Sequence, residues 1–227
     1  MSTLTVYPDA GDPGSATCDG IAYKDYGSLG TGQSWATLIA AAGSGAGSSG
    51  TTIDVQIQSD EVSANWMRLY RSIFLFDTSA LGVSATISAA TLSLWGRGKN
   101  DPLSIAPNID IYTSSPASNT TIVAADYNAL GNTSQTGSPI TFANWSVTGY
   151  NDFALNATGI SNISKTGISK FGARNQNYDV AASAPTWSTN ALTYIGIFSA
   201  DQASTTNDPK LVITYTLAPT SGFFAMM

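Results

Sequence analysis

Fourteen aspartates and the single glutamate, Glu61, carry most of the acid–base chemistry open to this 227-residue chain, because it contains no histidine. That absence excludes Ser-His-Asp and Cys-His catalysis, imidazole-ligated zinc and a histidine-based pH switch. One cysteine, Cys18, excludes an intramolecular disulfide and CxxC redox chemistry. Glycoside hydrolysis needs two carboxyls flanking a sugar, one of them with a raised pKa. Glu61 follows Asp60 in an expected loop, and most aspartates stand in turn contexts: Asp9-Ala10-Gly11-Asp12-Pro13-Gly14, Asn100-Asp101-Pro102 and Asn207-Asp208-Pro209. In such settings a carboxylate caps its own backbone. No nucleophile elbow, P-loop or dinucleotide fingerprint accompanies them. The expectation is a protein that is not an enzyme and needs no cofactor.

Two acidic groups have the oxygen donors of a structural calcium site: Asp9 with Asp12, and Asp201 with Asn207 and Asp208. Neither has the alternating spacing of an EF-hand loop, so ordinary turn chemistry is the simpler expectation. Five tryptophans offer rings on which a sugar can stack. Trp95, in a strand, and Trp145, closing Phe142-Ala143-Asn144-Trp145, read as core. Trp66 and Trp187 fall in expected loops and are the candidate glycan platform.

Nine basic residues oppose the fifteen acidic ones, for a net charge of −6. The arginines Arg68, Arg71, Arg97 and Arg174 are scattered, so no basic stripe exists to replace phosphate counterions, and no nucleic-acid partner is expected. No apolar run approaches the length of a bilayer span, and no polybasic anchor is present. Residues 1–6 lack the basic and apolar segments of a secretory leader. Charged residues make up only 11% of the chain while Ser and Thr number 56, the composition of an exterior built from hydroxyls and amides. A virion or extracellular location is therefore expected. Five Asn-x-Ser/Thr sequons, at Asn119, Asn132, Asn144, Asn156 and Asn162, carry meaning only in a eukaryotic secretory route.

The elements that must position these residues are strands. Short β-branched and aromatic runs at 4–7, 53–58, 69–76, 91–96, 109–112, 168–174, 192–198 and 211–216 are separated by Gly, Pro, Asn and Ser clusters. Ile53, Val55 and Ile57 alternate with Asp54, Gln56 and Gln58, giving one dry and one wet face. The run 69–76 is apolar on both faces beyond Ser72 and reads as a central strand. Residues 35–42 read as a short helix or a small-residue strand, 43–50 as a flexible loop, and 120–130 and 159–165 as helical turns. The fold expected is all-β: one jelly-roll-like antiparallel β-sandwich over 1–217, followed by an apolar tail, 218–227.

The stretch Arg71-Ser72-Ile73-Phe74-Leu75-Phe76-Asp77-Thr78-Ser79-Ala80-Leu81, then Ala85-Thr86-Ile87-Ser88-Ala89-Ala90-Thr91-Leu92-Ser93-Leu94, and the ending Asn207-Asp208-Pro209-Lys210-Leu211-Val212-Ile213-Thr214-Tyr215, resembles the DNRLRE-type β-sandwich family. These anchors bracket about residues 4–217. The resemblance implies a fold like that of jelly-roll carbohydrate-binding modules, found on bacterial surfaces, beside glycan-degrading enzymes and in phage-like proteins. In the residues themselves, Asp77 and Thr78 are placed to cap the end of a buried strand, and Ile87, Leu92 and Leu94 to face the opposing sheet.

The tail ends in Phe223-Phe224-Ala225-Met226-Met227. Exposed apolar tails are covered by something, and Phe223, Phe224, Met226 and Met227 are expected to insert into a neighbouring subunit rather than fold back on their own sandwich. Together these features predict a structural protein of an extracellular assembly, a phage capsid-decoration or head- or tail-associated component, whose partners are other subunits and copies of itself. The alternative is a carbohydrate-binding module or adhesin that recognises a polysaccharide through loop aromatics.

Overall fold

The computed structural model describes residues 1–11 and 13–218. In chain order these form β1 (Ser2–Val6), β2 (Asp19–Asp25), β3 (Gln33–Ser34), α1 (Trp35–Ala40), β4 (Gly45–Gly47), β5 (Thr52–Ser59), β6 (Asn65–Asp77), β7 (Ala85–Asn100), β8 (Ile109–Thr113), β9 (Tyr150–Ala154), α2 (Ala157–Ser161), β10 (Ile168–Asn175), β11 (Leu192–Phe198) and β12 (Lys210–Leu217). Single 3-10 turns occupy Ser79–Leu81 and Ala124–Asn128, and a π-helical turn occupies Gln176–Val180. The protein is an all-β sandwich. Among the described residues no helix is long and apolar enough to cross a membrane.

Every strand pairing is antiparallel, in the order β1-β12-β7-β11-β5-β6-β10-β8, with β9 on β7, β2 and β3 on β6, and β4 on β2. The layering follows from a fork at β6. One flank of β6 pairs with β2 through Arg68–Phe74. The other flank is shared, with β5 on Arg68–Tyr70 and β10 on Ser72–Asp77. Two strands cannot occupy one flank, so β5 lifts away where β10 begins, and Ser72 donates its hydroxyl to the Asp54 carbonyl at 3.2 Å at the branch.

The gap so opened is the main core. One layer contributes Ile53, Val55, Leu92, Leu94, Ile195, Ile197, Leu211 and Ile213, and the other contributes Phe74, Phe76, Ile109, Ile111 and Phe171. Each such side chain, fully buried, stabilises the fold by about 1.5–3 kcal/mol. Bridges Ile109↔Ile140 and Thr136↔Leu155 carry the chain across from β8 to the end of β9.

The two-faced character of β6 has a direct cause. Phe74 and Phe76 enter the main core, whereas Leu69, Ile73 and Leu75 enter a second core with Trp35, Leu38, Ile57, Ile105 and Tyr127, where Cys18 is also buried. At the end of β6 the Ser79 amide donates to Asp77 Oδ1 at 2.9 Å, the expected turn cap. Buried Thr78 ties that corner to the loop before β10, with Oγ1 2.6 Å from the Ser164 carbonyl, 3.0 Å from that of Gly167 and 2.7 Å from Ser169 Oγ.

Two expectations need correction. Residues 43–50 are not simply a loop, because Gly45–Gly47 pairs with Tyr23, Ala22 and Ile21. The wet face of β5 is largely covered: Gln56 and Gln58 are buried, flanked in register by Tyr70 and Arg68.

Candidate binding face

Side chains in register across paired strands share a face of the sheet. Tyr23 lies opposite Tyr70, Tyr70 opposite Gln56, Gln56 opposite Tyr194, and Tyr194 opposite Asn100. One row therefore crosses five strands, β2, β6, β5, β11 and β7, roughly 19 Å at ordinary strand spacing. It runs on the side away from the second core, which takes Ala22, Leu69 and Ile57 from the opposite faces of the same strands. Tyr23, Tyr70 and Tyr194 are each half-buried, Asn100 is exposed, and Gln56 between Tyr70 and Tyr194 is buried.

Small residues make room for this row. Tyr23 lies so close over Gly45 that a Cβ there would collide with its ring, and Gly98 sits beside the Tyr194 hydroxyl. The Tyr23 and Tyr70 rings stack with centroids 4.6 Å apart. Two ion pairs flank the row: Arg68 Nε to Asp25 Oδ2 at 2.7 Å, and Arg97 Nη2 to Asp54 Oδ1 at 3.0 Å. Burial raises the Tyr70 phenol, with Arg68 opposing, and burial raises Asp54, with Arg97 opposing. The face thus presents tyrosine rings, the Asn100 amide and internally neutralised charge, over a buried Gln56. It suits contact with a large polar partner.

The most tightly held charges lie on the other side of β6 and β10. The π-helical turn after β10 brings Asp179 back over Arg174. The Asp179 carboxylate accepts from Arg71 (Nε 2.9 Å, Nη2 2.6 Å) and from Arg174 (Nε and Nη2, both 2.8 Å). Arg71 also donates to the Tyr127 carbonyl at 2.6 Å and lies over the Tyr127 ring at 3.9 Å. All three side chains are buried. Burial alone would raise Asp179, but the two guanidiniums hold it below the ordinary carboxylate range. Arg71 is thus a structural anchor.

The remaining sites expected from sequence are dispersed. Trp66 is not in a loop: it opens β6, is 1% exposed and packs edge-on against Trp35 at 5.3 Å. It cannot stack a sugar in this fold, because the apolar second core claims its ring. Trp187 lies outside the strands as expected and is half-buried against the same core, its Nε1 buried without a hydrogen-bond partner. The two tryptophans do not form a shared platform with the tyrosine row. Trp145 is core, whereas Trp95 stands half-buried beside Tyr150 at 4.9 Å. Phe223, Phe224, Met226 and Met227 lie outside the described residues.

Asp60, next to Glu61, anchors a loop. Burial pushes its carboxyl up, but the amides of Gly30, Glu61 and Gly32, each at 2.7 Å, bring it below its ordinary value. Asp9 accepts from the amides of Ala16 at 2.6 Å and Thr17 at 3.1 Å, a loop cap. Asp12 lies outside the described residues.

Sequence reasoning missed the tyrosine row. Its only signal was the alternation of Arg68 and Tyr70 with Met67 and Leu69, and of the β5 glutamines with isoleucine and valine. Neither alternation reveals which strands stand side by side. Compared with protein-family models and with curated proteins, the chain matches none.

Proposed function

We propose that the protein is a non-enzymatic structural component of an extracellular assembly, a virion being the assembly that its low charge and hydroxyl-rich composition fit, and that it packs against neighbouring subunits through the Tyr23–Tyr70–Gln56–Tyr194–Asn100 face. The single observation that carries this reading is that row. Tyrosine and arginine are the residues that protein interfaces concentrate, because they supply large rigid contact area with a polar tip. The charges beside the row are already paired, so covering them strands no lone ion. The apolar residues Phe223, Phe224, Met226 and Met227 are the second contact that the reading assigns.

One observation favours a second reading. The stacked rings and the amides lie in a single line across the strands, the layout that an extended polysaccharide would follow. On that reading the protein is a carbohydrate-binding module whose platform is the sheet face rather than loop tryptophans.

Sedimentation velocity on the full chain and on Tyr70→Ser/Tyr194→Ser, with a panel of polysaccharides tested on both, separates these readings. The structural reading expects the wild type to self-associate and the variant to dissociate. A monomeric wild type that binds a polysaccharide, with binding lost in the variant, replaces it with the second. Identical behaviour of the two proteins in both assays overturns both.

A further inference from the structure

A cleft of about 670 Å³ separates the segment around Tyr7–Ser15 from the excursion 199–209 that precedes β12, lined by Tyr7, Asp9, Ser15, Gln202, Ser204 and Asp208 among others. Its acidic wall is unusual for this protein. Asp208 is 4% exposed, yet its Oδ1 is out of contact with solvent and has no hydrogen-bond partner. Asp201 Oδ2 is in the same condition, while Asp201 Oδ1 accepts the Gly11 amide at 2.6 Å. Asp19, 1% exposed, accepts the Ala200 amide at 3.0 Å and feels the charges of both Asp201 and Asp208.

No ion pair among the described residues reaches this group. The nearby Lys210 ammonium lies instead over the Tyr150 ring at 3.6 Å. Burial first, then the neighbouring carboxylate, pushes Asp208 up to about 6, and burial raises Asp19 well above its ordinary value. Elsewhere the chain satisfies the carboxylates of Asp9, Asp60 and Asp179. Buried Asp110 also leaves Oδ2 without a partner, but alone, its Oδ1 accepting from the Ile111 amide and Thr136 Oγ1, whereas Asp201 and Asp208 set two such oxygens in one excursion. Buried, orphaned carboxylate oxygens carry a desolvation cost that native structures avoid or offset with an ion.

We propose that Asp208, which lines this cleft, and the neighbouring Asp201 bind a calcium ion, tying the N-terminal segment to the excursion before the last strand. The donors are hard oxygens, which exclude soft thiophilic metals. Among the described residues no three acidic, histidine or cysteine side chains converge into a ready-made metal cage. The ion therefore takes the two free carboxylate oxygens and completes its shell with loop oxygens and water. Calcium tolerates such an irregular shell of six to eight oxygens, whereas magnesium demands near-ideal octahedral geometry. With only two carboxylates, affinity falls in the range of extracellular modules, about 10⁻⁴–10⁻³ M. The site stands independently of the proposed function.

The test is thermal and urea unfolding of chelator-treated full-length protein near pH 8, with and without calcium, together with calorimetric titration of calcium. For the wild type, about 10 mM calcium should raise the folding constant roughly tenfold to a hundredfold. Asp208→Asn should abolish that response and, without calcium, be at least as stable as the wild type, because it removes an uncompensated buried charge. Asp201→Asn serves as the second variant should Asp208→Asn fail to fold. A wild type indifferent to calcium, or a calcium response that survives both substitutions, overturns the proposal.

Discussion

Replacing Asp179 by asparagine keeps the side chain's shape and removes the one anion between two buried guanidiniums. Asp179 is 0% exposed and Arg71 and Arg174 are 5% exposed at the side chain. All four short contacts converge on its two oxygens. Stripping one partner from a buried ion pair costs about 3–5 kcal/mol, because the other charge is left without compensation. Here two cations are stranded, so the upper end, about 5 kcal/mol, is expected, a large share of the roughly 5–15 kcal/mol that holds a domain together. At roughly 2–4 °C per kcal/mol for a chain of this size, Tm should fall by about 10–20 °C.

Equilibrium urea unfolding of Asp179→Asn beside Asp54→Asn provides the comparison. The Asp54–Arg97 pair is partly exposed, 22% and 30% at the side chain, and its loss should cost no more than about 1 kcal/mol. The pH profile adds a signature. Asp179 is held below its ordinary value, so its stabilisation is present in full above about pH 4 and is lost as pH falls through the depressed folded pKa. If Asp179→Asn costs as little as Asp54→Asn, the triad does not anchor the π-helical turn to the sheet, and the reasoning fails.

Three further outcomes follow from the same structure. Without calcium, stability should decline as pH rises from about 4 to about 6, because burial and the Asp201 charge push the folded Asp208 carboxyl up to about 6 and its ionisation favours unfolding; Asp208→Asn should flatten that limb of the denaturation profile. Gly96→Ala should destabilise by at least about 1–3 kcal/mol in urea unfolding, since the new methyl overlaps the Ser146 carbonyl and crowds Trp145 Nε1. Thr78→Val should cost about 1–3 kcal/mol in the same assay, because it leaves the loop that Thr78 binds before β10 short of a buried donor.

Strands whose own residues carry β propensity could be read from the sequence, and strands imposed by their neighbours could not. The run 69–76 announced a central strand because it is apolar on both faces, and the two cores on either side of β6 explain that pattern. β2, Asp-Gly-Ile-Ala-Tyr-Lys-Asp, gave no signal, since glycine, alanine and two aspartates disfavour strands in isolation. It is held by seven registered positions along β6. Gly45–Gly47 can pair with β2 because Gly45 leaves room for the Tyr23 ring. Trp66 was misplaced for a related reason: Ser63-Ala64-Asn65 looks like a loop, and the burial of Trp66 depends on Trp35, 31 positions earlier. The tyrosine row was hidden in the same way, because its members come from five strands whose adjacency the sequence does not show.

The claim that this row is the contact surface of an assembly is tested most directly by hydroxyl-radical footprinting of the full chain, assembled at high concentration and dispersed at low. The account predicts that Tyr23, Tyr70 and Tyr194 become protected on assembly, while exposed Leu29 and Val62 remain equally reactive in both states. Assembly that leaves the three tyrosines as reactive as in the dispersed protein would contradict it.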